Sequence, residues 1–465
     1  MSEFRLLING ELVPGASSYA VIDPATERPF AQSPRADVIQ MEAAIESADR
    51  AFALWKKATV ETRRELLSAL AASVEDNSEY LGGILMREVG KPPREARMEV
   101  ASAVAVLRYF ADIKISVEHL TSNSGATSTV FRKPLGVVAG ITPWNMPLVQ
   151  ACVKIGSAVS TGNTIVLKPA PTTPLSALVI GKLASVIFPP GVINIITDQH
   201  DLAPLMTSHE KVAKIGFTGS TGTARKIMSA CAPTLKRLTM ELGGSDAAIV
   251  LRDADMAKAA QILFKRAMYN SGQICTAPKR VYVQRDHYDE FVDALIAQTD
   301  TVKIGAANED GVTMGPLQNR TQFEKVVEYL EDAKASGVVV TGGAPMARVG
   351  YFVPPTIVRD VTNGTRIVDE EQFGPILPVI SYENNDEVLE LANANPFGLG
   401  GSVWSRDVMK AREFASQLEC GQAWINNHGF SPAEFPLSGA KQSGFGVELG
   451  DEGIKSYTQM TVVCD

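Results

Sequence analysis

From residue 136 onward, short apolar runs bounded by Gly and Pro alternate with helical segments, and this alternation restricts the chain to an α/β fold. The runs are GVVAGI at 136 to 141, TIVLK at 164 to 168, GVINIIT at 191 to 197 and AKIGFTG at 213 to 219. Nearly continuous rather than alternating hydrophobicity marks strands buried on both faces, joined in parallel by crossover helices. A second cycle follows, with AAIVL at 247 to 251, a helix around 255 to 268, RVYVQ at 280 to 284 and a helix from 286 to 300. Further strand candidates are GVVVTGG at 337 to 343 and ILPVISY at 376 to 382, whereas 38 to 113 carries helical periodicity. The expected assembly is two successive α/β sheets with a catalytic hinge between them. A chain of 465 residues exceeds one ordinary core, in keeping with that division.

Charge and cysteine usage remove several classes of function. The net charge of −8, with no basic run longer than a pair such as Lys56 and Lys57, argues against nucleic acid as a partner. The opening MSEFRLLINGELV lacks the basic and apolar segments of a signal peptide, and no apolar stretch reaches bilayer length, so a cytoplasmic protein without membrane contact is expected. Cys152, Cys231, Cys275, Cys420 and Cys464 are widely spaced and odd in number, which fits a reducing compartment. No CxxC or HxxxH pair occurs, and His119, His200, His209, His287 and His428 are scattered, so no metal site is expected.

Two segments carry the chemistry. MELGG at 240 to 244 places Glu241, and NSGQIC at 270 to 275 places Cys275, each in a Gly-flanked turn. Their 34-residue separation is too long for one helix face, so a carboxylate base and a thiol nucleophile have to meet across a cleft. PWNMP at 143 to 147 adds Asn145, whose amide either donates to an oxyanion or simply forms the turn. FTGSTGTA at 217 to 224 sets Gly219 and Ser220 between an apolar strand and an Ala-rich helix, where free N–H groups can face a pyrophosphate. Taken alone, it reads equally as a plain strand-to-helix turn.

Together with Lys168-Pro169 and EEQFGP at 370 to 375, these motifs resemble the NAD(P)-dependent aldehyde dehydrogenase superfamily over nearly the whole chain. The resemblance implies a Rossmann-like cofactor domain over 1–117 and 135–242, a catalytic α/β domain over 243–443, and a small β oligomerisation arm over 118–134 and 444–465. It implies attack by Cys275 on an aldehyde, with a thiol pKa lowered by local donors or the cofactor ring, oxyanion stabilisation by Asn145, and hydrolysis of the resulting thioester with Glu241 as base. Lys168 would hold the adenosine ribose, Glu371 the nicotinamide ribose, and Phe373, Trp144, Thr142, Leu242, Gly219 and Ser220 would complete the dinucleotide site. Met146, Gln150, Val153, Ile274, Thr276, His428 and Phe430 would line a mainly apolar substrate tunnel without Arg or Lys, favouring a neutral aliphatic or aromatic aldehyde. Pairing through the arm implies a homodimer or homotetramer.

Departures leave choices open. Many NAD-preferring relatives carry a glutamate three residues after the lysine; Pro171 stands there instead, so NAD is expected and NADP remains possible. Ser438 and Val447 replace the usual glycine and arginine of the last loop. Rival readings are a coenzyme A-acylating dehydrogenase, which commonly lacks the Glu241 counterpart, a thioesterase without redox chemistry, and a catalytically silent scaffold.

Overall fold

The computed structural model describes residues 4–429 and 431–464, so Phe430 lies outside the described residues. Four helices open the fold after a short hairpin, Ser17–Asp23 with Arg28–Arg35. They span Val38–Trp55, Val60–Asp76, Ser78–Glu88 and Pro93–Ala111. Asp37 and Thr59 start the first two by accepting from the Gln40 and Thr62 N–H groups, and a proline in the first turn starts the fourth.

The continuous apolar runs form the centre of an eight-stranded sheet. Its order is Glu11–Val13, Leu6–Ile8, Ile193–Ile195, Thr164–Lys168, Val137–Ile141, Val212–Thr218, Arg237–Glu241 and Gly444–Phe445. The five strands from Ile193–Ile195 to Arg237–Glu241 are parallel, and both flanks are antiparallel. Val137–Ile141 and Thr164–Lys168 are buried at every position, because helices cover both faces. The chain leaves Val137–Ile141 towards Thr164–Lys168 and later returns to its other side as Val212–Thr218. That reversal makes the Rossmann-like switch point, where a crevice opens at the carboxyl ends of the strands.

A second sheet of seven strands runs Val338–Thr341, Thr356–Arg359, Ile376–Tyr382, Pro278–Gln284, Asp246–Val250, Gly400–Trp404 and Gln422–Ile425, parallel except at its first strand. The Met256–Met268 and Tyr288–Thr299 helices pack against it around Leu263, Phe264 and Phe291. The two β-prone pieces pair with each other: Thr458–Cys464 lies antiparallel along Thr127–Pro134, which also pairs with Glu118–Thr121. The 444–465 segment is divided, since Gly444–Phe445 closes the edge of the first sheet and Gly450–Lys455 is helical before the arm strand begins.

Close packing ties the Pro93–Ala111 helix to the Pro147–Ser160 helix at Gly156, where an added Cβ would penetrate the Phe110 ring. Gly156→Ala should therefore destabilise the protein by about 1–3 kcal/mol through overpacking. Urea unfolding checks this, and an unchanged midpoint would remove the Phe110 contact as a constraint.

Candidate active site

The strand ends of the first sheet place the candidate base. Glu241 terminates Arg237–Glu241 in register with Thr218, and its carbonyl accepts from the Gly219 N–H at 3.0 Å. Its side chain is buried, yet neither carboxylate oxygen has a hydrogen-bond partner. Burial raises its pKa well above the usual carboxylate range, the charge of Glu448 adds to this, and the Lys154 ammonium opposes it. Lys154 is itself buried, bonded to Thr218 Oγ1 at 2.8 Å and ion-paired with Glu448. Lys154 and Glu448 are thus the charged groups that act on Glu241.

The loop bearing Cys275, the candidate nucleophile, leaves the Met256–Met268 helix through two left-handed residues, Asn270 at φ 52° and Ser271 at φ 57°. Asn270 tolerates that conformation because its short amide bonds locally, to the Gln273 carbonyl at 3.4 Å, and it also donates to the Asn145 carbonyl at 3.0 Å. Asn145 in turn donates through Nδ2 to the Gln273 carbonyl at 2.8 Å, two residues before Cys275. The Asn145 amide and the thiol loop are therefore one hydrogen-bonded unit. Cys275 is partly exposed. Its pKa is not lowered by the surrounding groups: burial comes first, then the charges of Glu371, Asp246 and Glu241, and together they push the thiol up to about 12 against a small opposing effect of the Thr276 N–H. The protein alone supplies carboxylates where a lowering would need a cation.

Two glycines let the sheets approach. A Cβ on Gly244 would lie 2.7 Å from the Cys275 carbonyl oxygen, and one on Gly243 would collide with the Glu371 carboxylate. Glu371 accepts from the Gly244 N–H at 3.0 Å, which sets its carboxylate over the MELGG turn. Next to it, Phe373 meets Trp144 edge to face with ring centroids 5.3 Å apart, linking the EEQFGP and PWNMP loops. Lys168 is buried and paired with Asp198 at 2.7 Å. Ser220 caps the Thr221–Cys231 helix by accepting from the Thr223 N–H, and Leu242 donates to the Ser443 carbonyl at 3.0 Å.

The expected tunnel residues separate into groups. Gln150 and Val153 share the Pro147–Ser160 helix, and Gln150 accepts from Thr218 Oγ1 at 3.3 Å, towards the Glu241 strand. Ile274 and Thr276 flank Cys275 and are partly exposed, and Met146 Sδ accepts from the buried Lys91 ammonium at 2.8 Å. His428 is fully buried, with Nδ1 2.8 Å from Ser402 Oγ, Nε2 3.4 Å from Asp246 and its ring against Trp424.

The aldehyde dehydrogenase family model matches residues 13–463. The chain belongs to the aldehyde dehydrogenase family. It is 38% identical to a mitochondrial aldehyde dehydrogenase of Leishmania tarentolae, over 98% of this chain and 93% of that protein. The NAD+ complex of an aldehyde dehydrogenase from Bacillus cereus superposes with a TM-score of 0.96 at 37% identity, covering 100% of this chain and 96% of the other. A betaine aldehyde dehydrogenase from Staphylococcus aureus bound to NAD+ gives 0.96 at 33% identity, covering 100% and 94%.

This aldehyde dehydrogenase is an NAD(P)-dependent oxidoreductase, and the switch-point crevice fits the dinucleotide. The Thr142 hydroxyl there is buried with no hydrogen-bond partner, and Gly222, in the first turn of the Thr221–Cys231 helix, faces open space. The first N–H groups of that helix have no intrahelical acceptor and suit a pyrophosphate. Among the described residues no helix is long and apolar enough to cross a membrane. Sequence reasoning passed over Lys154 and Glu448, although one lysine inside the apolar PLVQACVKIGSAVS helix was a visible anomaly. It also passed over Asp198 and over Lys279, which donates at 2.7 Å to both the Gly272 and Gly374 carbonyls and so staples the thiol loop to the Glu371 loop.

Gly243→Ala should displace the Glu371 carboxylate and raise KM for NAD by about tenfold or more, since ångström-scale misplacement of a positioning group is costly. Steady-state kinetics at saturating aldehyde checks this; a KM within twofold of the parent would detach Glu371 from the cofactor.

Proposed function

We propose that this aldehyde dehydrogenase oxidises a neutral aliphatic or aromatic aldehyde to the free carboxylic acid through covalent adducts on Cys275. The observation that carries the reading is Glu241, a buried carboxylate whose two oxygens are both unpartnered and which borders the thiol closely enough to raise its pKa. An unpaired buried carboxylate is costly to keep unless it has work to do on a ligand or water.

Cys275 Sγ, as thiolate, adds to the aldehyde carbon, and the carbonyl oxygen becomes an oxyanion. Asn145 has a second amide proton beyond the one committed to Gln273, and it can donate to that oxygen. NAD, when bound, supplies the acceptor for the hydride lost by the tetrahedral carbon, and its positive ring supplies the cation the thiol otherwise lacks. Lys168, Ser220, Glu371 and the Trp144–Phe373 pair are the residues that would hold it. The acyl group then remains on Cys275 as a thioester. Glu241 takes a proton from water, the resulting hydroxide adds to the thioester carbon, and Sγ leaves as thiolate with the acid released. Lys154 and Glu448, near the base, act on the balance between its charged and neutral forms in opposite directions. A dedicated water-activating base favours hydrolysis over transfer to coenzyme A.

Met146, Ile274, Thr276 and Val153 support a neutral substrate. The nearby Lys91 is consumed by its ion pair with Glu99, while Glu241, Glu371 and Asp246 would repel a carboxylated aldehyde. Leu120, Met460, Val462 and Val463 are exposed on the three-stranded arm, which supports assembly of dimers through that sheet. Five free thiols support a reducing, cytoplasmic setting.

Cys275→Ala should abolish reduction of NAD while leaving the melting temperature near that of the parent; substantial turnover by the folded variant would sink the nucleophile. Glu241→Gln should keep a rapid burst of NADH and slow the steady rate by about 10²–10⁴-fold, the usual contribution of a general base. Because the base must be ionised and its pKa is raised, the parent's deacylation rate should climb with pH on a limb well above the ordinary carboxylate range. Stopped-flow traces across pH test both points; a variant that keeps the parent's limb excludes Glu241 as its origin.

A further inference from the structure

In a doubly wound sheet that binds a dinucleotide, an acid at the end of the second strand commonly accepts from the adenosine ribose 2′-hydroxyl and turns away a 2′-phosphate. By chain order the parallel strands here are Val137–Ile141, Thr164–Lys168 and Ile193–Ile195. The second ends in Lys168, and the loop after it, with Pro169, Pro171 and Pro174, contains no acid as far as the Leu175–Ala184 helix. An ammonium at that place with no counter-charge would welcome a phosphate. The third strand changes this. Three residues beyond its end comes Asp198, fully buried, with Oδ1 2.7 Å from Lys168 Nζ and Oδ2 accepting from the Leu202 N–H at 3.0 Å.

We propose that Asp198 is the residue that selects NAD over NADP in this enzyme, placing from the third strand the carboxylate that the second strand lacks. The inference rests on the dehydrogenase reading above. A carboxylate accepts from up to four donors, so the bonds to Lys168 and the Leu202 N–H leave Asp198 with acceptor capacity that a ribose hydroxyl can use. Against a phosphate, the same group cancels the charge of Lys168 and adds its own repulsion. The other cations close by are also withdrawn. Arg35, whose strand reaches Thr197 through the Ala36 N–H at 2.9 Å, is bound to Asp201 at 2.8 Å. His200 is held towards its neutral form by burial first and then by Lys168.

Nicotinamide fluorescence on titrating NADH and NADPH into the parent, Asp198→Asn and Asp198→Gly reads this without turnover. The parent should bind NADH more tightly. Asp198→Asn keeps hydrogen-bonding capacity but loses the charge, so it should tighten NADPH itself and shift the ratio of the two Kd values at least about tenfold towards NADPH. Asp198→Gly should shift the ratio in the same direction. In the parent alone, NADPH binding should strengthen relative to NADH as salt rises, because repulsion is screened; this arm needs no folded variant. If NADH weakens in both variants and NADPH gains nothing, Asp198 is only a tie for Lys168 and the Leu202 turn, and the proposal is overturned. If the folded parent binds neither dinucleotide, the dehydrogenase reading fails first.

Discussion

Everything in the site depends on how closely the chain beyond the Arg237–Glu241 strand of the first sheet can pass the loops of the second. Gly243 and Gly244 make that approach possible. One faces the Glu371 carboxylate and the other the Cys275 carbonyl, with no room for a side chain at either. With the backbone at that distance, the Gly244 N–H orients Glu371 and the strand end delivers Glu241 towards the thiol. The glycines are thus a packing requirement before they are a catalytic one, and the chemistry inherits their geometry.

Buried charge is the second recurring device. Lys91 with Glu99, Lys154 with Glu448 and Lys168 with Asp198 are all inaccessible pairs around the clefts. Such a pair adds little net stability over apolar residues of the same size, but losing one partner costs about 3–5 kcal/mol. Each pair sits beside an element of the candidate site: Glu99 accepts from the Leu148 N–H at the start of the helix bearing Gln150, Lys154 and Glu448 act on Glu241, and Lys168 ends the second parallel strand. Glu241 differs from them in lacking any hydrogen-bond partner, and that contrast supports the proposal that it is a reacting group.

The alternation of strands and helices was legible in the chain because parallel strands buried on both faces require continuous apolar runs. Val137–Ile141, Thr164–Lys168 and Ile376–Tyr382 lie within or on the runs that announced them. The arm was legible only as two β-prone remainders, since local sequence carries no record of which distant strand will pair with it. His428 shows the same limit in a side chain. Matched position suggested a tunnel wall, but tertiary packing closed Asp246, Ser402 and Trp424 around it.

What the sequence determined by itself is therefore the set of local preferences: the α/β alternation, the Gly-flanked turns, and the kinds of residue able to act as nucleophile, base and amide donor. These depend on backbone freedom and side-chain chemistry, which each residue carries wherever it is placed. The tertiary structure decided which groups share a low-dielectric space. It buried the Cys275 thiol, set three carboxylates near it, and so raised a thiol that motif context alone would have read as activated. It brought Asp198 to Lys168 across thirty positions and Glu448 to Lys154 across 294. Electrostatic interaction depends on distance and burial, and neither is written in the order of residues along the chain.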